Sequence, residues 1–183
     1  MDLRRWNVKH VRMVLATAPA FTPFARSGEQ GVARIKSTIG SQALAGLLEQ
    51  ARADAVAPIP ALPAALYLEF MRTGRREGYE DAQRERRQML YRLTLAEWLE
   101  GEGAFIDAIE NLAFARLEET NWSWPAHGRV LDMPDRPTLD LAAAMSALDL
   151  AEMDYLIGDR LSAPLRARLR SETDRRALAP FLE

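Results

Sequence analysis

Between Thr138 and Ile157 the chain is apolar on nearly every side of a helical wheel. Leu139, Leu141, Ala142 to Met145, Ala147, Leu148, Leu150, Ala151, Met153 and Tyr155 to Ile157 leave few polar positions. A helix of that kind is normally buried all round. The spacing therefore predicts an inner helix over 138–157, and whatever else the chain does must supply helices to surround it. The chain has 183 residues, 48% of them apolar, which suffices for one domain with a real core.

The surrounding elements read as amphipathic helices. Ser41 can cap a helix with Leu44, Leu47, Leu48 and Ala51 on one face, stopped by Pro58, Pro60 and Pro63. A second runs from about Ala64 to Arg72 and ends at Thr73 and Gly74. A long one follows from about Tyr79 to Glu100, its stripe of Met89, Leu90, Leu93 and Ala96 widened by Leu95, Trp98 and Leu99. A stripe that broad can touch two neighbours. Gly101 and Gly103 break the chain before a helix from Ala104 to Glu118. Gly158 suits a C-terminal cap, Ser162 and Pro164 open a sixth helix, and Pro180 ends it.

Strand signals are absent. The expected fold is all-α: antiparallel helical hairpins joined by short glycine or proline turns, packed in layers as in bundles, solenoids and toroids. No repeat supports a regular solenoid. Residues 1–40, interrupted by Pro19, Pro23, Gly28, Gly31 and Gly40, read as an irregular lead-in with one short helix, and 41–183 as the helical domain. Phe181 and Leu182 want a neighbour to pack on, so the expectation is a chain cut short.

Charge and composition remove several functions. With 24 basic and 26 acidic side chains the balance is −2, without the basic excess of a nucleic-acid binder. No cysteine is present for disulfides, zinc–thiolate sites or thiol nucleophiles. No apolar run approaches a membrane span. Met13 to Ala20, behind Arg4, Arg5, Lys9 and Arg12, imitates a signal peptide weakly; Thr17 and Pro19 break it, and cytoplasmic residence is expected, with a periplasmic or secreted protein the alternative. Arg84, Arg86, Arg87 and Arg92, interleaved with Asp81 and Glu85, read as a solvated helix face, and the arginines from Arg166 to Arg176 likewise. Asp132, Asp135 and Asp140 could suggest a metal, but Asp135 or Thr138 is better read as a helix cap. No cofactor motif and no catalytic constellation can be assembled.

One connection is out of proportion. Helix-to-helix links usually need about 2–8 residues, whereas Glu118 to Pro137 is far longer and holds Asn121, Trp122, Trp124, His127 and Arg129. Indole rings stack on the C–H faces of sugars, and amide, imidazole and guanidinium groups bind sugar hydroxyls. The competing reading is that the two tryptophans anchor the loop to the helices, and composition favours it. His127 has no partner that the sequence names.

Several segments resemble the bacterial heparinase II/III-like family: Leu66 to Gly74 (LYLEFMRTG), Leu95 to Gly103 (LAEWLEGEG), Glu119 to His127 (ETNWSWPAH), Pro134 to Leu141 (PDRPTLDL) and Tyr155 to Leu161 (YLIGDRL). The resemblance runs in order over about residues 58–183, and the tryptophan loop is its most specific part. It implies the opening part of an (α/α) toroid, with the remaining toroid and a β-rich domain outside this chain. It also implies polysaccharide lyase chemistry, β-elimination on a uronic-acid-containing chain, and hence an acidic polysaccharide or oligosaccharide as partner. No catalytic residue carries over. Asn121, Trp122, Trp124, His127 and Arg129 are the substrate-groove candidates, and the chain alone is expected to be inactive. The alternative is a non-catalytic helical scaffold or interaction module.

Overall fold

The computed structural model describes residues 8–17, 29–128, 130–132 and 136–182. These residues form helices and turns and no strand, so the fold is all-α. The chain divides into two compact units, residues 1–35 and 36–183. The first contains α1 (Val8–Thr17) and the beginning of α2 (Glu29–Ile39). The irregular lead-in is thereby corrected to two helices over its described part. The breakers Pro19, Pro23 and Gly28 all lie between the two, outside the described residues. Gly31 is in the first turn of α2, where a glycine costs only about 1 kcal/mol.

The second unit carries α3 (Ser41–Val56), α4 (Ala64–Tyr67), α5 (Glu69–Thr73), α6 (Glu77–Glu100), α7 (Ile106–Leu117), α8 (Pro125–Gly128), α9 (Leu141–Ile157), α10 (Ala163–Thr173) and α11 (Ala179–Leu182). Several boundaries move for local reasons. Ser41 is the first helical residue and Gly40, at φ +79°, takes the cap position. The helix expected over 64–72 is interrupted at Leu68. α9 starts after Asp140, whose carboxylate accepts the Ala143 N–H, so neither Thr138 nor Asp135 is its cap; Asp135 lies outside the described residues. Gly158 keeps a right-handed φ of −54° and leads into a 3-10 turn, Gly158–Arg160, instead of a left-handed cap. Pro180 does not end the last helix but lies in α11, behind a widened π turn in which the Ala179 N–H reaches back to Asp174.

Side-chain pairs fix the directions of the long helices. Tyr79 and Gln83, early in α6, meet Asn121 and Glu119 just beyond α7, while Glu97, late in α6, meets Phe105 just before it. α6 and α7 are therefore antiparallel. Arg87 meets Asp149 and Tyr91 meets Glu152, so α6 and α9 run parallel. Glu110 meets Ser162 and Phe114 meets Arg168, so α7 and α10 also run parallel. Arg92 meets Asp54 while Arg86 meets Pro60, which makes α3 antiparallel to α6. The outcome is two layers. α6 and α9 run one way in the first, and α3, α7 and α10 run the other way in the second.

The core fills the space between layers with Leu90, Leu93, Ile109, Leu112, Leu117, Leu150, Met153 and Leu165, all essentially buried. α9 is enclosed less completely than its composition predicts. Its Leu150, Met153 and Ile157 are buried, yet Leu141 is 62% and Leu148 56% exposed. α6, α10 and the π turn after α10 pack against it, and α7 reaches it through Arg116 and Ser146. The arginines of α6 also depart from a solvated face. Because α6 is flanked by three helices, Arg86 reaches α7, Arg87 reaches α9 and Arg92 reaches α3. No described helix is long and apolar enough to cross a membrane.

The α6–α7 corner depends on one carboxylate. Gly101, at φ +76°, ends α6 in the left-handed region that glycine adopts without penalty. Fully buried Glu97 then accepts N–H bonds from Gly103 (2.8 Å) and Phe105 (3.1 Å) and pairs with Arg160. Removing the carboxylate leaves the buried Phe105 N–H without its acceptor, while the Arg160 side chain, 41% exposed, turns to solvent. Glu97→Ala is accordingly expected to lower unfolding free energy by about 1–3 kcal/mol, measured by urea denaturation followed by circular dichroism.

Candidate functional site

The loop from Glu118 to Asp140 is built on the end of α7. The last carbonyls of a helix have no intrahelical partner, and here they point into the interior. Arg86 donates to the Ala115 carbonyl (3.2 Å) and Arg176 to that of Leu117 (3.4 Å). The Trp122 indole N–H donates back to the Arg116 carbonyl at 3.0 Å. Arg176 lies 5.1 Å over the Trp122 ring and also donates to the Glu119 (2.6 Å) and Thr120 (3.2 Å) carbonyls. Two guanidinium groups at a helix C-terminus satisfy both its free acceptors and its negative dipole end.

The chain next passes over α6 and α4. Tyr79 donates to the Asn121 carbonyl (3.0 Å) and Gln83 to that of Trp122 (3.2 Å). Burial raises the Tyr79 phenol well above its ordinary pKa, so it stays a donor. Tyr67 and Ser123 share a hydrogen bond at 3.1 Å. Gly128 passes so close to the Tyr67 hydroxyl that any side chain there would collide with it. Asn121 donates to the Val130 carbonyl (3.2 Å) and accepts from the Asp132 N–H (3.1 Å), closing a ring across the loop.

Asp140 completes the tether. One carboxylate caps α9, accepts the Trp124 N–H (3.1 Å) and holds His127 Nδ1 at 2.7 Å. This is the partner for His127 that spacing alone did not name, thirteen residues downstream in the sequence. The imidazole is exposed, with its ring centre 5.9 Å from that of Trp124.

The five loop candidates thus separate. Asn121 and Trp122 are both 1% exposed, with their polar atoms spent on backbone groups. Trp124 is half-buried and lines a cleft of about 400 Å³. His127 stands beside it, outside that lining. Arg129 lies outside the described residues. The rest of the cleft comes from the parallel pair α6 and α9, through Glu80, Gln83, Arg84, Arg87, Gln88 and Tyr91 on one side and Ala142, Met145 and Ser146 on the other. No motif marks these residues; the only clue in the sequence is that polar side chains recur at helical spacing on a strip of α6.

Charges in the cleft are largely paired. Arg84 donates to Asp81 at 2.6 Å, and Arg87 makes a two-pronged contact with Asp149. Glu80 differs: it lies 3.5 Å from Arg76, but one buried carboxylate oxygen has no hydrogen bond among the described residues. Burial pushes its pKa above the ordinary carboxylate value, against the opposing pull of Arg76 and Arg84. No group of three or more acidic or histidine side chains suited to a metal ion occurs among the described residues. No family model matches the chain, and no curated protein matches it.

Two measurements test this assignment of roles. Trp122→Ala is expected to cost about 3–5 kcal/mol of stability, and Trp124→Ala less than about 1 kcal/mol, both from urea midpoints. A carboxyl with a raised folded pKa favours folding below its unfolded pKa and loses that contribution as pH rises through the folded value. Glu80→Gln should therefore remove part of the stability that wild type loses as pH rises above the ordinary carboxylate pKa of about 4.3, seen as a flatter dependence of thermal midpoint on pH.

Proposed function

We propose that this chain is the N-terminal helical part of a heparinase II/III-like polysaccharide lyase, and that it contributes a groove for an acidic polysaccharide which the larger protein cleaves by β-elimination. The observation that carries this reading is the cleft on the α6–α9 face, into which the family-like loop delivers Trp124. Three features support it together. The segments resembling the family lie on α4 to α6, on the tryptophan loop and at the end of α9. Two layers of oppositely running helices are the arrangement that a toroid's inner and outer rings require. The cleft also has an indole for stacking on a sugar face, with amide, guanidinium and hydroxyl groups from Gln88, Arg84 and Tyr91 beside it.

Within this reading Trp122 and Asn121 build the loop and Trp124 meets the sugar. No proton-abstracting residue is assigned to this chain. The alternative, a non-catalytic scaffold, draws on a separate apolar groove between α9 and α11 lined by Leu139, Leu141, Ala144, Ala147, Leu178 and Phe181.

Titration of the chain with uronic-acid oligosaccharides, followed by intrinsic tryptophan fluorescence, separates the two. The groove reading expects a saturable change, with affinity at least about tenfold weaker in Trp124→Ala, a loss of about 1.4 kcal/mol. A folded chain that responds to no acidic or neutral oligosaccharide would sink the groove reading and leave the scaffold.

A further inference from the structure

The cleft displays arginines whose charge is already taken. Arg84 is bound to Asp81, and Arg87 to Asp149. A cation that pairs with no carboxylate among the described residues lies behind the wall. Arg116, on α7, is fully buried (0% exposed), and its Nε and Nη1 have no hydrogen-bond partner among the described residues. Glu119, three residues further along, pairs with Arg86 at 3.2 Å. An uncompensated buried charge is strongly disfavoured, and an approaching charge of opposite sign recovers the loss.

One residue connects this cation to the cleft. Ser146 of α9 lines the cleft, and its Oγ accepts a hydrogen bond from Arg116 Nη2 at 2.8 Å. With that lone pair engaged, the serine O–H is polarised and can be donated to an acceptor in the cleft. The carboxyl of Glu80 faces the same space from α6, seven residues or about two turns from Arg87. Ser146 lies three residues before Asp149 and so is level with Arg84, which puts Glu80 only about one turn from the serine; burial raises the pKa of the Glu80 carboxyl and disfavours a second anion in the cleft.

We propose that the α6–α9 cleft reads an anionic group on its ligand, a carboxylate or a sulfate ester, through Ser146 backed by the uncompensated guanidinium of Arg116. The inference rests on the groove reading and adds to it the residues that distinguish an acidic sugar from a neutral one. Arg116 does not touch the ligand. It is a specificity-determining residue that acts through the serine hydroxyl, in surroundings where little water competes with the interaction.

The experiment compares three ligands on the same chain by titration calorimetry: a uronic-acid oligomer, its carboxyl-reduced neutral counterpart, and a sulfated form of that neutral oligomer. Wild type is expected to bind at least one acidic oligomer tenfold or more tightly than the neutral one. Preference for the uronate alone names the carboxylate as the group read, and preference for the sulfated oligomer names the sulfate. Ser146→Asp places a carboxylate against Arg116 Nη2. It should abolish the preference, leave neutral binding intact and keep or raise the thermal midpoint, because Arg116 gains its missing partner. Ser146→Ala should also lose the preference, by removing the hydroxyl, and should lower the thermal midpoint, because it takes from Arg116 Nη2 its acceptor. Equal affinity for acidic and neutral oligomers, or a preference unchanged in both variants, overturns the proposal while leaving the groove in place. No binding of any oligomer overturns both.

Discussion

The C-terminal carbonyls of α7 end buried or part-buried inside the protein, and much of the second unit follows from how they are satisfied. A buried backbone acceptor without a partner costs free energy comparable to a lost hydrogen bond. Arg86 from α6, Arg176 from the turn after α10 and the Trp122 indole each supply a donor. These donors belong to three different segments, so meeting one local requirement fixes the positions of α6, α10 and the loop around α7. The same arginines carry long alkyl stems, which lets charged residues occupy a largely apolar interior.

That arrangement explains which parts of the fold were legible. Helix class and order follow from periodicity, because an apolar face must be buried whatever it is buried against. Three arginines of α6 are illegible for the opposite reason. A basic run interleaved with acids looks alike whether it faces water or three neighbouring helices, and only packing reveals that Arg86, Arg87 and Arg92 diverge to three partners. Helix ends were displaced where a distant group took the capping role. Asp140 and not Thr138 caps α9, whereas Ser162 does stand at the N-cap of α10, its hydroxyl donating to Glu110 of α7 at 3.1 Å.

The loop candidates divide along the same line. Residue type alone makes Trp122 and Trp124 equivalent, and they differ only in what lies within reach of each indole. Trp122 is six residues past the Arg116 carbonyl and can fold back to it, under the guanidinium of Arg176. Trp124 is held by its backbone N–H on Asp140, which leaves the ring free to line the cleft. Structural anchoring and a ligand-facing role were opposed readings of one motif. They are compatible once each is given to a different tryptophan.

This division also bears on how precisely a groove on this face can be formed. Binding sites work best when the residues that meet the ligand are held by others that do not. Here the backbone on both sides of Trp124 is held. Ser123 is tied to Tyr67, the Trp122 carbonyl to Gln83, and the Trp124 N–H to a carboxylate that is also the N-cap of α9. The cap matters most, because α9 forms the opposite wall of the cleft. Movement of the loop would break the α9 cap, and movement of α9 would release the loop. The indole and the helix wall that it faces therefore keep their spacing as one unit, although the loop between them is long.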